Sequence, residues 1–320
     1  MRVIRSRVVR FLVLVVACLG VSACGGEGQP TASNGDNAAD AAPVIGVSLL
    51  TMQHQFYQDL RAGLEEAAGA RGWRLLVVSA EFDAARQANQ VDEFLVQDVD
   101  AIVLCPADSR SVGASVLAAN AAGVPVVTAD IASASPIGEV VSHIASDNVA
   151  GGREAARLLL EAIGGAGRVA VLSHPEVSSV TDRVRGFREE MAQHGSVEIV
   201  AELSADGRRD KAARVMEDLL QAHPGLDGVF AINDDSALGA LAAVQSGGRA
   251  GEVAIVGYDA TPEARERILA GDIYGDVIQH PRRIGQLTIE TLETILSGGA
   301  APKVVPVEVG RFTRDQDGDA

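Results

Sequence analysis

The chain has 320 residues, 47% of them hydrophobic, and its 43 acidic residues outnumber 27 basic ones. That apolar share excludes an intrinsically disordered protein, and the length allows two domains of ordinary size. The acid excess argues against nucleic acid and anionic membrane surfaces as partners, because both are bound through basic patches.

Residues 1–24 read as an export signal. Arg2, Arg5, Arg7 and Arg10 form a basic start, Phe11–Leu19 a short apolar core, and the stretch closes on Val21, Ser22, Ala23 and Cys24. It is too short for a spanning helix with ordinary flanks. Its end resembles a bacterial lipobox, in which the peptide is cut before the Cys and the Cys carries lipid. Cys24 is therefore expected to begin a mature chain tethered by acyl chains to the membrane, on its periplasmic or outer face. Removing residues 1–23 takes four Arg and no acid, so 23 basic residues remain against 43 acidic ones. Cys18 goes with the signal and Cys24 to lipid, which leaves Cys105 and no disulfide framework. Residues 24–43 are rich in Gly, Ser, Asn, Asp and Ala and read as a flexible tether. No later apolar run approaches the ~18 residues of a membrane span.

From Val44 onward short apolar runs alternate with helical periods. The predicted strands are Val44–Leu50, Leu75–Ser79, Ala101–Cys105, Val124–Thr128, Val140–Ile144, Val169–Leu172, Val197–Ala201, Gly228–Ile232, Val253–Gly257, Tyr274–Ile278 and Val304–Val309. Helices such as Tyr57–Ala70, Ala84–Val96, Asn148–Ile163, Thr181–His194, Arg209–Ala222, Ser236–Gln245 and Pro281–Leu296 lie between them. Continuous apolar strands alternating with helices imply parallel sheets covered on both faces. Eleven strands with such short connections exceed one compact sheet, so the expected fold is α/β with two doubly wound parallel-sheet lobes. Asp315, Asp317 and Asp319 near Gly318 lack the distal Glu of a calcium loop, and residues 316–320 read as an acidic tail.

In open parallel sheets ligands bind beyond the carboxyl ends of the strands. The residues there are Gln53, His54, Gln55, Phe56 and Tyr57, then Cys105 and Asp108, Asp130, Asn233, Asp234 and Asp235, Asp259, and Gln279. Planar carboxylates and amides make paired bonds to adjacent hydroxyls, and aromatic faces cover C–H surface, so the set suits a polyhydroxylated ligand. For Asp147, Asp234 and Asp235 helix capping is the favoured role. Trp73 is assigned to the core and His143 to a structural role. His174, His194, His223 and His280 have no metal-ligand spacing, so no metal and no cofactor are expected. Gly165–Ala170 fits G-x-G-x-x-A but precedes a strand, so phosphates would meet no helix start, and it reads as a turn. Walker, G-x-S-x-G and H-E-x-x-H motifs are absent from the sequence, and the chain is expected not to be an enzyme.

Three stretches carry a family resemblance: Gly138–Asn148 (GEVVSHIASDN), Val229–Asp235 (VFAINDD) with Ala237–Ala240 (ALGA), and Val256–Pro262 (VGYDATP). With them the chain resembles the ribose-binding type of periplasmic solute-binding protein, the sugar-binding component of ABC importers, over essentially all of Val44–Asp315. The resemblance implies two lobes joined by a three-segment hinge. One lobe would comprise residues 44–146 and 280–308, the other 147–279 and 309–315. Ligand would sit between them and be buried by closure. Phe56 and Tyr57 match the family's aromatic pair. Asp130, Asn233, Asp259 and Gln279 match hydroxyl-binding positions, and Arg183 matches a basic position near the lobe interface. His54 and Cys105 stand where the ribose binder has Asn. Ile131 and Thr181 replace Arg, and Gly207 replaces a Phe platform.

Neither Ile nor Thr reproduces the rigid donor fork of Arg, and a lost platform opens volume. The ligand is therefore expected to be a neutral sugar, polyol or inositol other than ribose, with a cation left open and sugar acids disfavoured. The implied partners are an ABC permease and its ATPase, with the binding protein acting as a monomer. Two other roles for such a fold are a repressor effector domain, which needs a DNA-binding segment and a cytoplasmic address, and an extracytoplasmic sensor that hands a furanosyl signal to a receptor.

Overall fold

The computed structural model describes residues 42–316. Cys24, the export signal and residues 317–320 lie outside them. The first half of the fold runs β1 (Val44–Leu49), α1 (Gln55–Gly69), β2 (Arg74–Ser79), α2 (Ala84–Val96), β3 (Ala101–Leu104), α3 (Gly113–Ala121), β4 (Val126–Ala129) and β5 (Ser142–Ser146). The second runs α4 (Asn148–Ala162), β6 (Gly167–Ser173), α5 (Ser178–Met191), β7 (Val197–Ser204), α6 (Arg209–Ala222), β8 (Gly228–Ala231), α7 (Asp234–Ser246), β9 (Ala254–Asp259), α8 (Pro262–Ala270) and β10 (Gly275–Ile278). The chain then returns through α9 (Pro281–Leu296), β11 (Val304–Val307) and β12 (Gly310–Thr313).

Two sheets result, each of six strands, in the orders β11-β5-β4-β3-β1-β2 and β12-β10-β9-β8-β6-β7. Every pairing is parallel except β12 on β10. Central strands such as β3 (AIVL) and β8 (GVFA) are buried along their whole length, as strands covered on both faces must be. The chain passes between the sheets after β5, after β10 and between β11 and β12. The first and third passages are tied by the Asp147 N–H, which donates to Val307 O at 2.9 Å.

The run Val304–Val309, read from sequence as one strand, ends at Val307. Residues 304–307 extend the first sheet, and β12 then forms on the second. Helix α5 begins at Ser178, three residues before its sequence-predicted start. The Ser178 N–H donates to Ser109 Oγ, and its hydroxyl bridges Ala132 N–H and Ala132 O, bonds supplied by the opposite lobe. Trp73 packs against the core as expected.

Buried apolar residues of both lobes join into one cluster that includes Tyr57, Ile131, Val177, Val180 and Tyr258. The lobes are therefore in contact, with the cleft closed. Helices α4 and α5 meet backbone to backbone: a β-carbon on Gly152 would stand 1.9 Å from Arg183 O. That approach places Arg183 at the cleft.

Candidate functional site

A cavity of about 40 Å³ lies between the lobes at the carboxyl ends of the strands. Its lining includes His54, Phe56, Tyr57 and Asp130 from the first lobe and Arg183, Asn233, Asp259 and Gln279 from the second. The strand-end rule and the resemblance thus converge on seven of these residues, the resemblance alone supplies Arg183, and the fold brings all eight together. His54 stands at the N-cap position of α1 without making a side-chain cap bond. Phe56 and Tyr57 follow in the first turn, edge to face at 5.2 Å.

Cys105 departs from expectation, since it is fully buried and does not line the cavity. Alternate residues Ala101, Val103 and Cys105 face one core cluster while Ile102 and Leu104 face another. The thiol therefore sits in the core, and burial pushes its pKa well up.

Asp130 is the polar centre of the first lobe's wall. Its Oδ2 accepts from the Tyr57 hydroxyl at 2.7 Å. Its Oδ1 is buried without a hydrogen bond, 4.0 Å from Arg183 Nη2 across the cleft. Burial raises the Asp130 pKa, opposed by Arg183 and by the Tyr57 bond. Arg183 is held by its other donors: Nε to Asn148 Oδ1 and Nη1 to Ile232 O, both at 2.8 Å. Its guanidinium lies 3.9 Å from the centre of the Tyr258 ring.

On the second lobe Asn233 caps α7, accepting from Ser236 N–H at 3.0 Å, and donates to Gly207 O at 3.0 Å. The cap role foreseen for Asp234 and Asp235 therefore belongs to Asn233. Asp234 instead accepts from Thr261 N–H at 2.7 Å, and Asp235 pairs with Arg209 at 3.2 Å. Asp147 does cap α4, through Ala150 N–H. Asp259 Oδ1 accepts from Gln279 Nε2 at 2.6 Å, while Gln279 Oε1 has no partner.

Behind this wall Asp276 is buried with both oxygens unpaired, and burial, followed by the neighbouring Asp234, pushes its pKa well up. Asp234 is pushed up to about 6 by burial. Burial, followed by Asp234, also pushes Asp259 well up.

Sequence reasoning passed over Phe82 and His174, which also line the cavity. His174 directly follows β6, where the strand-end rule would have found it. Ile131 and Gly207 line the cavity, whereas Thr181 does not. His143 is structural, paired with Thr128 Oγ1 at 2.9 Å, with its pKa lowered by burial to about 4.

Two buried acceptor oxygens, Asp130 Oδ1 and Gln279 Oε1, belong to opposite walls and have no donor among the described residues. Orphaned acceptors in a closed cleft are matched by a solute that carries hydroxyl or amine donors.

A family model for the periplasmic binding protein domain matches residues 45–300. The chain belongs to the periplasmic binding protein family. It is 35% identical over 295 residues to the ribose import binding protein of Bacillus subtilis, covering 92% of this chain and 95% of that one. It is 32% identical to a xylitol-binding protein of Mycolicibacterium smegmatis over 82% of this chain and 72% of the relative. Among solved structures, the Caulobacter myo-inositol binding protein with myo-inositol bound superposes with a TM-score of 0.81 at 29% identity, covering 86% of this chain and 95% of that one.

Proposed function

We propose that this periplasmic binding protein is the extracytoplasmic solute-binding component of an ABC importer. It captures a small neutral polyhydroxylated solute (a sugar, polyol or inositol) by hinge closure. The observation that carries the reading is the pair of buried, unmatched acceptors, Asp130 Oδ1 and Gln279 Oε1, on facing walls of one interlobe cavity. The relatives named above bind ribose, xylitol and myo-inositol, which supports the ligand class. The ligand is other than ribose, because Ile131 and Gly207 remove a donor fork and an aromatic face from the wall. His54, Phe56, Tyr57, Asp130, Arg183, Asn233, Asp259 and Gln279 hold the solute. Cys24 carries the lipid anchor, and the closed monomer delivers its solute to a permease driven by an ATPase.

Thermal unfolding of the full chain against pentoses, hexoses, polyols, inositols and sugar acids tests this. A ligand at ~100 times its Kd stabilises by about 2.7 kcal/mol, which is a few degrees for a domain pair of this size. A shift with a neutral polyhydroxy compound and none with sugar acids is expected. Cooperative unfolding with no shift across the whole panel would refute the reading.

A further inference from the structure

The turn after β2 is held in the left-handed region at two successive residues, Glu81 at φ 52° and Phe82 at φ 63°. For a bulky aromatic this is an outlier that persists only where surrounding contacts enforce it. The turn is held by the Phe82 N–H, which donates to Leu50 O at 3.1 Å, and by the Glu81 carboxylate. It accepts from Ser79 Oγ at 2.5 Å, Gln53 Nε2 at 2.8 Å, Thr51 Oγ1 at 3.1 Å and Met52 N–H at 3.2 Å. Three of these donors belong to the segment that leads into His54. One carboxylate thus fixes Phe82 and His54 relative to each other.

The result is a wall of the solute cavity. The Phe82 ring lies edge-on to His54 at 5.4 Å and 6.3 Å from His174, which reaches in from the opposite lobe. Among the described residues neither imidazole makes a hydrogen bond. His54 Nε2 is 3.7 Å from Asp235 and His174 Nε2 is 3.6 Å from Glu176. Both rings are therefore free to bond a ligand. Gly207, where the resemblance implied a lost aromatic platform, has φ +65°, and a β-carbon there would stand 3.3 Å from Asn233 Nδ2 and 3.7 Å from His174 Nδ1. A side chain at 207 would be strained by that backbone and would press on Asn233 Nδ2.

We propose that Phe82 is the specificity-determining platform of this site. With His54 and His174 it favours a ring-closed sugar or cyclitol over an open-chain polyol; the proposal rests on the solute-binding reading above. An aromatic face is attracted to a flat patch of partly positive C–H groups. A ring holds such a patch flat, while an open chain must lose rotational freedom to present one.

Calorimetric titration of the full chain tests this with D-ribose, D-allose, D-tagatose and myo-inositol as ring-closed probes and xylitol and ribitol as open-chain probes. The wild-type chain is expected to bind at least one ring-closed probe about tenfold more tightly than either polyol. Phe82→Ala and Phe82→Leu should each weaken that probe about tenfold and weaken the polyols by less, so that the ring-over-chain preference shrinks. Full affinity in Phe82→Leu would reduce Phe82 to apolar packing and overturn the proposal, as would unchanged affinity in Phe82→Ala or a wild-type preference for polyols. Should the Phe82 variants fail to fold, His174→Ala provides the same comparison from the other lobe. A wild-type chain that binds none of the probes overturns the solute-binding reading and this proposal together, whereas binding with the wrong preference overturns only the proposal.

Discussion

Replacing Asp130 by Ala separates the two tasks of that carboxylate. Oδ1 is the open acceptor, and a hydrogen bond from a solute hydroxyl to a charged group contributes about 1.5–3 kcal/mol. Affinity should therefore fall roughly 10- to 150-fold. Oδ2 holds the Tyr57 hydroxyl at 2.7 Å, and Tyr57 is only 4% exposed. Asp130→Ala orphans that hydroxyl at a cost of about 1–3 kcal/mol in stability. Adding Tyr57→Phe removes the orphan, so the double variant should regain stability without regaining affinity. Calorimetric titration with the ligand found by thermal shift reads the first quantity, and denaturant unfolding of the ligand-free chain reads the second. Affinity losses below ~0.5 kcal/mol for both Asp130→Ala and Asp259→Ala, against the scale expected for such bonds, would mean that the solute is bound elsewhere. Recovery of affinity in the double variant would show that Asp130 acts only by orienting Tyr57.

Burial lowers the pKa of both His54 and His174 from 6.5 in the closed cleft, offset at His54 by Asp235 and Glu81 and at His174 by Glu176 and Asp206. An open cleft rehydrates them, so below about pH 6.5 the open form takes up protons that the closed form resists. The two rings therefore weaken affinity as pH drops from 7 to 5, against the raised Asp130 and Asp259 carboxyls, which act the other way; a wild-type pH profile that the double variant His54→Ala, His174→Ala leaves unchanged would exclude both rings from the closing surface. Asp276→Asn should raise the unfolding midpoint by a few degrees, and by more at pH 8 than at pH 5. Wild-type Asp276 and Asp234 have raised pKa values in the folded state, so stability is lost as pH rises through them; an equal gain at both pH values would argue against the raised carboxyls. Cys24→Ala should release the protein from the membrane fraction, and retention with unchanged processing would rule out lipid at that position.

The fold was legible because both sheets are buried on both faces. A strand such as Ala101–Leu104, buried at every residue, has to be apolar throughout, and the helices that cover it have to carry one apolar stripe. The strand-end rule likewise reached Asp130, Asn233, Asp259 and Gln279, since each directly follows or closes a sheet strand in the sequence. Local sequence also determined the cap at Asp147, whose carboxylate meets an N–H only three residues away.

Only the tertiary structure decided which side chains of the two lobes meet. Arg183 faces Asp130 because Gly152 lets α4 and α5 touch through backbone, an approach that no local period encodes. Cys105 and Asp130 both follow strands of the first sheet, yet Cys105 continues the pleat of β3 into the core while Asp130 leaves β4 in a left-handed conformation (φ 63°) and lines the cleft. Val304–Val307 joins β5 and the following Gly310–Thr313 joins β10, a switch of sheets that depends on free edges which exist only once both lobes are built. Phe82 was invisible for the same reason. Its place in the cavity wall comes from a left-handed turn held by Glu81, through bonds to residues some thirty positions earlier in the chain.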